Sequence, residues 1–413
     1  MKISRSMVAC SIGAFLLASC TSSPKHPVAT ATPAIPSSSA STSSSPIPSK
    51  AVVLPPRLPG GFVVVDSSWV SDNVGWVLGG RGCEGTGCAA LMRTDDGGAH
   101  WRRVSAPPAY VFAKGRYPQG SPTPDIISRI RFANSKVGYA FDSSLFMTLD
   151  GGRTWRRQGA PRYVASLEIS HGTVVRISYP NSGCPGPCDA VVESSTIGST
   201  HWRRILTPTA YGTAFSVAIQ GSTIDVAAFG NPAGGANDAH TTFWRSTNLG
   251  ATWVRFSDPC GESPTGENDA ADFIPVPGGV FIVECRPRGS NADAFVVESI
   301  DGGATFGPRR LLPVKVADAL AAPSGTTLAV TYFRNGEGVL VSHDSGRTWR
   351  STLTVKPPPD SEQVVPPQGS KSVESFLGFE DNLTARASFG TASLWTARDG
   401  GNTWSRSAPF AGL

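Results

Sequence analysis

Five aspartates recur along this chain at similar intervals, and an asparagine occupies a sixth corresponding position. These residues are Asp96, Asp150, Asn248, Asp301, Asp344 and Asp399. Glycosidases use carboxylates as acids, bases and nucleophiles, and calcium also prefers carboxylate oxygens as ligands. A repeated aspartate therefore suggests catalysis or calcium binding, unless the segments that contain it give it a structural role.

Each of these positions belongs to one short pattern, which reads Ser or Thr, any residue, Asp, any residue, Gly, any two residues and Trp. The final aromatics of its seven copies are Trp101, Trp155, Trp202, Trp253, Phe306, Trp349 and Trp404. Their spacings are 54, 47, 51, 53, 43 and 55 residues. A unit of about fifty residues is therefore repeated, and this period predicts a radially repeated β fold.

The residues of the pattern have physical roles in a tight turn. In the clearest copy, 148–155, Asp150 can accept hydrogen bonds from the backbone N–H groups that follow it. Gly152 can adopt the positive φ that such a turn often needs, and Trp155 is a large apolar anchor. Three further copies have the complete set, namely Asp96, Gly98 and Trp101, Asp301, Gly303 and Phe306, and Asp344, Gly346 and Trp349.

Three copies depart from the pattern. The fourth has Asn248, a similar acceptor, where the others have Asp, and the last has Ala397 in place of the hydroxyl residue. The third has Ile197 and Ser199 at the Asp and Gly positions, so we expect its turn to be looser. The pattern residues that these copies retain are Ser195, Trp202, Gly250, Trp253, Asp399, Gly401 and Trp404.

The pattern resembles the Asp-box, or BNR, repeat of sialidase-type β-propellers. This resemblance implies an all-β fold, a seven-bladed β-propeller with four-stranded antiparallel blades, over residues 56–413. It also implies that each box lies on the hairpin between the third and fourth strands, remote from any active site. We therefore assign the box residues a structural role, and no catalytic or metal-binding one.

The strand order predicted for the blades defines two faces. Each blade has strands A to D with A nearest the axis, and in the first two blades we place them at 62–69, 75–79, 89–93, 100–104, 126–132, 137–141, 145–148 and 154–157. Because strand direction alternates, the B–C loops and D-to-A connections emerge opposite the boxes. This loop-bearing face is the predicted working surface. Its longest insertions are 105–124, 230–239, 258–270 and 352–374.

The N-terminal segment predicts export and anchoring. Residues 1–19 are interpreted as a lipoprotein signal peptide, in which Lys2 and Arg5 precede an apolar stretch too short to span a bilayer. The string from 17 to Cys20 resembles a bacterial lipobox, which implies acyl chains on Cys20 that hold the protein at the outer face of the bacterial cell membrane. An ordinary cleavage site before a cysteine is the alternative. The Ser-, Thr- and Pro-rich stretch 20–55 is predicted to be an extended tether.

The charge balance gives no reason to expect nucleic acid as a partner. Without the signal peptide the chain has 34 basic and 31 acidic residues. We also expect no cofactor, no membrane contact beyond the lipid, and a monomer. Arginines that follow the box aromatics lie on the outermost strands, where positive charge discourages edge pairing; an acidic polymer bound around the rim is the alternative. They are Arg102, Arg103, Arg156, Arg157, Arg203, Arg204, Arg255, Arg309, Arg350 and Arg406.

Six cysteines remain once Cys10 and Cys20 are set aside, and an even number in an exported protein indicates disulfides. Fifteen pairings are possible in principle for six cysteines. Short spacings within Gly- and Pro-rich loops favour Cys83–Cys88 and Cys184–Cys188, which leaves Cys260–Cys285. A zinc site is the alternative, although no Cys-x-x-Cys or paired histidine accompanies these residues.

The first functional hypothesis is an exo-acting glycoside hydrolase of the sialidase type. Sialidase chemistry uses three arginines, a tyrosine nucleophile paired with a glutamate, and an aspartate as acid/base. The family's Arg-Ile-Pro motif is absent, and the nearest string is Phe-Ile-Pro at 273–275. Nothing in the sequence pairs a tyrosine with a glutamate, so we assign no catalytic residue. The residues that could approach the loop-bearing face are Tyr163, Tyr179, Tyr211, Tyr332, Arg129, Arg286, Arg288 and Arg334.

The second hypothesis, which we favour, is a non-catalytic binding or assembly scaffold. The stretches 72–79 and 134–141, ahead of the first two boxes, resemble the photosystem II assembly and stability factor family, whose propellers bind a partner polypeptide. This resemblance implies a protein partner, and a cell-wall glycan is equally open. Exposed aromatics and arginines are common interface anchors. On the loop-bearing face the predicted partner-binding residues are Tyr110, Tyr117, Arg286 and Arg288.

Overall fold

The computed structural model describes most of the repeat region. The described residues are 52–53, 62–80, 89–111, 125–159, 162–180, 189–208, 215–228, 241–263, 266–276, 278–287, 293–314, 317–333, 337–356 and 375–411. None of these ranges contains a helix long and apolar enough to cross a membrane. Several predicted sites lie outside the described residues, namely Cys20, Cys83, Cys88, Cys184, Cys188, Tyr117 and Arg288.

The regular structure in these ranges consists of 32 β-strands. The first fifteen are β1 (Val52–Val53), β2 (Val63–Trp69), β3 (Gly75–Gly80), β4 (Ala89–Thr94), β5 (Arg102–Val104), β6 (Tyr110–Val111), β7 (Ile126–Ile127), β8 (Arg129–Phe132), β9 (Gly138–Phe141), β10 (Leu145–Thr148), β11 (Arg156–Arg157), β12 (Arg162–Ser170), β13 (Thr173–Pro180), β14 (Val191–Thr196) and β15 (Arg203–Leu206). The next nine are β16 (Phe215–Gln220), β17 (Thr223–Ala228), β18 (Thr242–Ser246), β19 (Val254–Ser257), β20 (Glu262–Ser263), β21 (Gly266–Val276), β22 (Val280–Pro287), β23 (Phe295–Ser299) and β24 (Arg310–Leu311). The last eight are β25 (Ala317–Ala321), β26 (Leu328–Phe333), β27 (Glu337–Ser342), β28 (Arg350–Lys356), β29 (Ser375–Phe379), β30 (Ala385–Phe389), β31 (Leu394–Ala397) and β32 (Ser405–Ser407).

Seven antiparallel sheets of four consecutive strands each confirm the predicted seven-bladed propeller. Blades 1 to 7 are β2 to β5, β8 to β11, β12 to β15, β16 to β19, β21 to β24, β25 to β28, and β29 to β32. The strands predicted for the first two blades differ from the observed ones mainly at their ends. Because every blade is continuous in sequence, the first and last blades share no strand. The ring is closed instead by contacts such as the hydrogen bond from Val64 N to Thr391 O at 2.7 Å.

Apolar side chains from neighbouring blades interlock to form the core. Between blades 1 and 2 the rings of Trp76 and Phe132 stack with centroids 3.8 Å apart. Between blades 4 and 5 Phe243 lies edge-on to Phe281 at 5.8 Å. Trp76, Phe243 and Phe281 are almost completely buried. Aromatic surfaces of this size are large contributors to apolar burial, so each blade depends on its neighbours for stability.

Four short strands, β1, β6, β7 and β20, lie outside the seven four-stranded blades. Val52 and Val53 form β1, which pairs in parallel with Val355 and Lys356 of β28 in blade 6. The predicted tether, 20–55, therefore includes residues that belong to the sheet, because β-branched residues favour a strand where an edge is available. The strand β6 pairs in parallel with β7 at the entry to blade 2, and β20 pairs with β21, the first strand of blade 5.

Candidate functional site

The box turns are held by one repeated set of hydrogen bonds. The hydroxyl of Thr148 donates to Asp150 Oδ1 at 2.8 Å and accepts from Gly152 N at 3.0 Å. The same Oδ1 accepts from Arg153 N and Thr154 N, both at 2.9 Å. The turn thus shows Asp150 in its predicted role, as an acceptor of hydrogen bonds from backbone N–H groups. Each turn also donates to the A–B turn of its own blade, as Gly151 N does to Lys136 O at 2.7 Å.

The carboxylates of these turns are held in their ionised form. Hydrogen bonds from the Thr305 hydroxyl, the Thr305 backbone N–H and the Ser299 hydroxyl lower the pKa of Asp301 to about 2. Burial raises the pKa of Asp150, but hydrogen bonds from Thr154 and Thr148 outweigh it and lower the value to about 2. These donors occupy the carboxylate oxygens, which gives the aspartates a structural use.

Three box tryptophans, Trp155, Trp253 and Trp404, each donate a hydrogen bond to the blade before their own. The indole N–H of Trp155 donates to Ser105 O at 2.8 Å, just beyond the last strand of blade 1. Trp253 of blade 4 donates in the same way to Ile205 O of blade 3 at 2.9 Å. Because these partners are about fifty residues apart, the box organises the junction between blades as well as its own turn.

The third box is closed by different contacts from the others. The Ser195 hydroxyl donates to His201 O at 2.6 Å, and Gly198 N donates to the Tyr139 hydroxyl of blade 2 at 2.9 Å. Gly198 has a positive φ of 79°, which replaces the glycine expected one position later. The turn is therefore held without the aspartate. Where the sequence predicted a looser turn, the structure has a turn with a different set of hydrogen-bond partners.

One position next to each box differs between blades in how far its side chain extends into the groove between adjacent blades. The residue before the box hydroxyl faces the next blade, and in blade 1 it is Arg93, which donates to Ser135 O of blade 2 at 3.1 Å. In blade 4 it is Arg245, whose guanidinium lies 4.8 Å from the Phe281 ring of blade 5. In blades 3 and 7 the position has the smaller side chains Ser194 and Thr396. Open clefts occur at those two junctions.

These two clefts have different linings. The 3/4 cleft, between blades 3 and 4, has a volume of about 280 Å³ and is lined by Thr173, Ser194, Ser195, Thr196, His201, Arg203 and Leu249. The 7/1 cleft, between blades 7 and 1, has a volume of about 270 Å³ and is lined by Asp96, Gly97, Gly98, Ala99, Thr396, Arg398, Ser405, Arg406 and Ser407. A carboxylate therefore lines the second cleft, whereas the first has only neutral and basic groups.

The inner strands of the first three blades are joined by a polar network. Asp66 of blade 1 accepts from Ile130 N at 2.8 Å and from Arg131 Nη1 at 3.0 Å. Arg131 of blade 2 also donates through Nε to Glu168 of blade 3 at 3.0 Å. Burial lowers the pKa of Arg131, but the charges of Glu168 and Asp66 outweigh it and raise the value above its ordinary range. Opposite charges thus couple three blades near the axis.

On the loop-bearing face the structure places a compact aromatic group in blades 3 and 4. Tyr163, at the start of strand A, stacks on Tyr179 at the end of strand B with centroids 4.8 Å apart. Phe215 of blade 4 lies 5.8 Å from Tyr179. Tyr179 and Phe215 are buried and Tyr163 is half-buried, so this group presents one aromatic edge at the surface.

Blade 5 presents a rigid charged group on the same face. Cys260 and Cys285 form the predicted disulfide, with their Cα atoms 5.5 Å apart. Next to it, Arg286 donates through Nε to Glu284 at 2.8 Å, and the Arg286 side chain is 29% exposed while that of Glu284 is 1% exposed. Arg309 donates to Cys260 O at 3.0 Å. The Arg286 guanidinium is thus held by a buried carboxylate.

A buried carboxylate lies at the B–C turn of blade 2. Asp142 accepts a hydrogen bond from the Ser128 hydroxyl at 2.5 Å through Oδ2, while Oδ1 has no partner among the described residues. Burial raises the pKa of Asp142, although the Ser128 hydroxyl and the charge of Arg129 act in the opposite direction. No pattern in the sequence indicates this residue, because its burial results from packing between distant segments.

The structure describes two of the four predicted partner-binding residues, and these two are far apart in the ring. Arg286 lies at the end of β22 in blade 5, whereas Tyr110 lies in β6 between blades 1 and 2. Tyr110 is half-buried, and its neighbours Ala109 and Val111 belong to the core of blades 1 and 2. The beginning of the 105–124 insertion is therefore folded against the blades. Arg286 and Tyr110 do not form one cluster.

The residues considered for a sialidase-type site have other contacts. The Tyr332 hydroxyl lies 3.4 Å from the hydroxyls of Ser351 and Thr354 in its own blade. Arg129 donates to Ala165 O at 3.3 Å. Tyr211 and Arg334 lie outside the described residues. Tyr332 and Arg129 are thus engaged with other groups of the blades.

Comparisons with known proteins identify the fold. No family model and no curated protein matches the sequence. Among solved structures, YCF48 bound to a D1 peptide has a TM-score of 0.51 at 14% identity, over 83% of this chain and 95% of that one. A PL25 ulvan lyase has a TM-score of 0.52 at 9% identity, over 85% and 93% of the two chains. A puromycin hydrolase has a TM-score of 0.53 at 13% identity, over 85% and 54%.

These similarities show a propeller fold shared by a peptide-bound protein and by two enzymes. At such low identity a common fold does not transfer activity, since function resides in sites that differ between members of one fold.

Proposed function

We propose that this protein is a non-catalytic binding scaffold, which holds a protein partner at its loop-bearing face while a lipidated Cys20 anchors it to the outer face of the bacterial cell membrane. The observation that carries the proposal is the fixed Arg286 beside the Cys260–Cys285 disulfide. A partly exposed guanidinium held by Glu284 loses little entropy when a partner binds. Arginine and tyrosine are also enriched among residues that dominate interface energies.

The fold similarity favours a polypeptide as the partner. The YCF48 structure contains a D1 peptide, and its fold match covers most of both chains. In the present chain, Tyr163 offers an aromatic edge on the same face as Arg286. A cell-wall glycan is the second partner class, which the arginine and aromatic groups would also suit.

Site-specific crosslinking tests the position of the binding face. A photoreactive residue in place of the exposed Asp293, which lies near Arg286 because Cys285 pairs with Phe295, is expected to crosslink one abundant partner in cells. The same residue at 347, on a box turn, is not. The purified partner is then titrated against the parent protein, Arg286→Ala and Arg347→Ala. We expect at least about a tenfold loss of affinity for Arg286→Ala only, as is typical of an interface hot spot. Crosslinking from 347 alone would contradict the proposal.

Two further experiments test the remaining parts. The Cys20→Ala variant is expected to lose lipidation and normal maturation, and membrane association equal to the parent would rule out the anchor. The purified protein is assayed with sialosides and other glycosides. Turnover at ordinary enzymatic rates, about 1 per second or faster, would replace the scaffold by the glycoside hydrolase alternative.

A further inference from the structure

The 3/4 cleft differs from the 7/1 cleft in its charge. The two boxes next to it are the ones that lack an aspartate, since blade 3 has Ile197 and blade 4 has Asn248 at that position. The 7/1 cleft, by contrast, has the Asp96 carboxylate in its lining. The 3/4 cleft therefore combines basic and hydroxyl groups with no acidic side chain in its lining.

Strand register places these groups on one face of blade 3. Ser194 lies opposite Arg203, and Thr196 lies opposite Thr173. Directly opposed residues of an antiparallel pair point to the same side of the sheet, as do residues two apart in one strand. The four side chains therefore face blade 4 together, and His201 completes the basic side of the cleft.

The nearby acidic side chains point elsewhere. Glu193, next to Ser194, lies on the other face of blade 3 and pairs with Arg176 at 2.8 Å. Asp225 of blade 4 pairs with Arg245 at 2.6 Å, and that arginine extends toward the Phe281 ring of blade 5. Arg203 is exposed and has no ion-pair partner among the described residues. Its charge is available to an anion from solution.

Leu249 provides a second, independent observation at the same place. It occupies the box position that is glycine in blades 1, 2, 3, 5 and 7, and it has a φ of 53° in the left-handed region. A branched side chain in this conformation is strained, and strain of this kind persists where the surrounding structure or a function requires it. Leu249 is 38% exposed and lines the cleft, so an apolar group lies across from Arg203.

We propose that the 3/4 cleft binds one acidic sugar unit, with Arg203 gripping its carboxylate. A guanidinium matches a planar carboxylate with two parallel hydrogen bonds. The hydroxyls of Thr173, Ser194 and Thr196 suit sugar hydroxyls, and Leu249 covers the apolar side of a pyranose ring. This site lies on the side of the box turns, so it is separate from the loop-bearing face proposed above.

Ligand-observed NMR on the purified full chain tests this proposal, with a glucuronic acid disaccharide as the probe. We expect millimolar binding, and an Arg203→Ala variant that binds at least about tenfold more weakly, because a charge-assisted bidentate contact is lost. Arg204→Ala is the matched control, since that exposed arginine is adjacent in sequence and faces the opposite side of the sheet. Its affinity is expected to stay within about twofold of the parent.

A second variant keeps the result interpretable. Ser194→Arg introduces the residue that fills the corresponding groove in blade 1, and it is expected to abolish binding while the thermal unfolding midpoint stays near that of the parent. Inorganic phosphate and a neutral glucose disaccharide are the other probes. Equal binding of the neutral sugar, binding of phosphate alone, or equal loss in Arg203→Ala and Arg204→Ala would overturn the proposal. Partner capture through Arg286 is expected to be unchanged in Arg203→Ala, which separates this site from the loop-bearing face.

Discussion

Two junctions, one between blades 7 and 1 and one between blades 3 and 4, share the same strand arrangement. They differ in whether their arginine is buried or exposed. At the first, Arg386 is 1% exposed, donates to Glu380 at 2.6 Å and to Thr396 at 2.7 Å, and lies 3.3 Å from the Trp69 ring centroid. At the second, the corresponding side of the sheet has Ser194 beside an exposed Arg203. Both junctions have an open cleft, but the 7/1 junction also has a buried cation that links its two blades, whereas the 3/4 junction exposes its cation.

The difference follows from the position of each junction in the chain. Blades 3 and 4 are consecutive, so the covalent chain holds them together. Blades 7 and 1 are far apart in sequence and share no strand, so side chains must supply the closure. Arg386 bonds to Gly97 O and Asp72 O of blade 1 at 3.5 and 3.4 Å. We therefore expect Arg386 to contribute strongly to the closure of the ring.

The most damaging single change is expected at the closing junction. Arg386→Met removes the buried cation beside Glu380. Burial raises the pKa of Glu380, as do the charges of Asp72 and Asp381, whereas Arg386 lowers it. Breaking a buried pair in this way costs about 3–5 kcal/mol. Urea unfolding measures the loss as a lower midpoint with an unchanged slope.

Arg398→Met is the matched control for that measurement. Arg398 also reaches blade 1, where it donates to Gly97 O at 3.3 Å, but its side chain is exposed. Its loss is expected to cost less than about 1 kcal/mol. Similar losses in the two variants would mean that burial of Arg386 does not distinguish the closing junction.

The second largest effect is expected at the disulfide of blade 5. The Cys260→Ala, Cys285→Ala double variant opens a loop with a sequence separation of 25, for which chain entropy gives about 3 kcal/mol. We expect lower stability together with weaker partner capture, because the strand end that presents Arg286 is no longer tied. Unchanged stability in denaturant would show that packing alone holds this edge.

The sequence was sufficient for the features that depend on local contacts. Asp150 bonds to Arg153 and Thr154, three and four residues away, so the box pattern predicts its turn directly. Seven such patterns at a regular period gave the number of blades. Strands in the first blade agree with expectation because β-branched and apolar runs end at the turns.

The features that the sequence did not reveal join residues from different blades. Arg93 reaches Ser135, 42 positions later, and Arg386 reaches Gly97, 289 positions earlier. No local pattern distinguishes Arg93 from any exposed strand residue. The three-dimensional arrangement of the blades was therefore needed to tell filled grooves from open ones. The signal that was available for the 3/4 cleft is the adjacency of the two boxes without aspartate, at Ile197 and Asn248.

A smaller effect, of opposite sign, is expected from relief of backbone strain. Ser345 has a φ of 61° at a box position that is glycine in most blades. Its N–H donates to Thr326 O and its carbonyl accepts from Arg310, so these hydrogen bonds would remain with a glycine at this position. Ser345→Gly is expected to stabilise the fold by about 0.5–1 kcal/mol, because the left-handed conformation costs a non-glycine residue about 1–2 kcal/mol and glycine has more entropy to lose. Thermal unfolding measures the gain.

Two comparisons sharpen this result. Ser345→Ala keeps the strain and is expected to give no gain. Leu249→Gly relieves similar strain at the 3/4 cleft but removes an apolar side chain, so we expect a smaller gain in stability together with weaker binding of the acidic sugar. A loss of stability in Ser345→Gly would show that the turn does not store strain.

The smallest effect is a dependence of stability on pH that is confined to the boxes with aspartate. Burial raises the pKa of Asp344, but hydrogen bonds from Thr348 and Ser342 outweigh it and bring the value to about 2, against an ordinary value of 3.8. Asp150 is shifted to about 2 in the same way. A carboxylate with a depressed pKa in the folded state contributes stability that is complete above the unfolded value and is lost as the pH falls from about 4 to about 2.

The natural Asn248 shows how to remove this dependence without removing the turn. Its Oδ1 accepts from Thr252 N at 2.9 Å, as Asp344 does from Thr348 N at 2.8 Å, but an amide does not titrate. In the Asp150→Asn, Asp344→Asn double variant, the free energy of unfolding is therefore expected to fall less steeply between pH 4 and pH 2 than in the parent. Urea titrations at several pH values measure the two slopes. Equal slopes in the two proteins would mean that the box carboxylates contribute nothing to the loss of stability in acid. The aspartate would then matter only for the charge that a blade presents to a ligand.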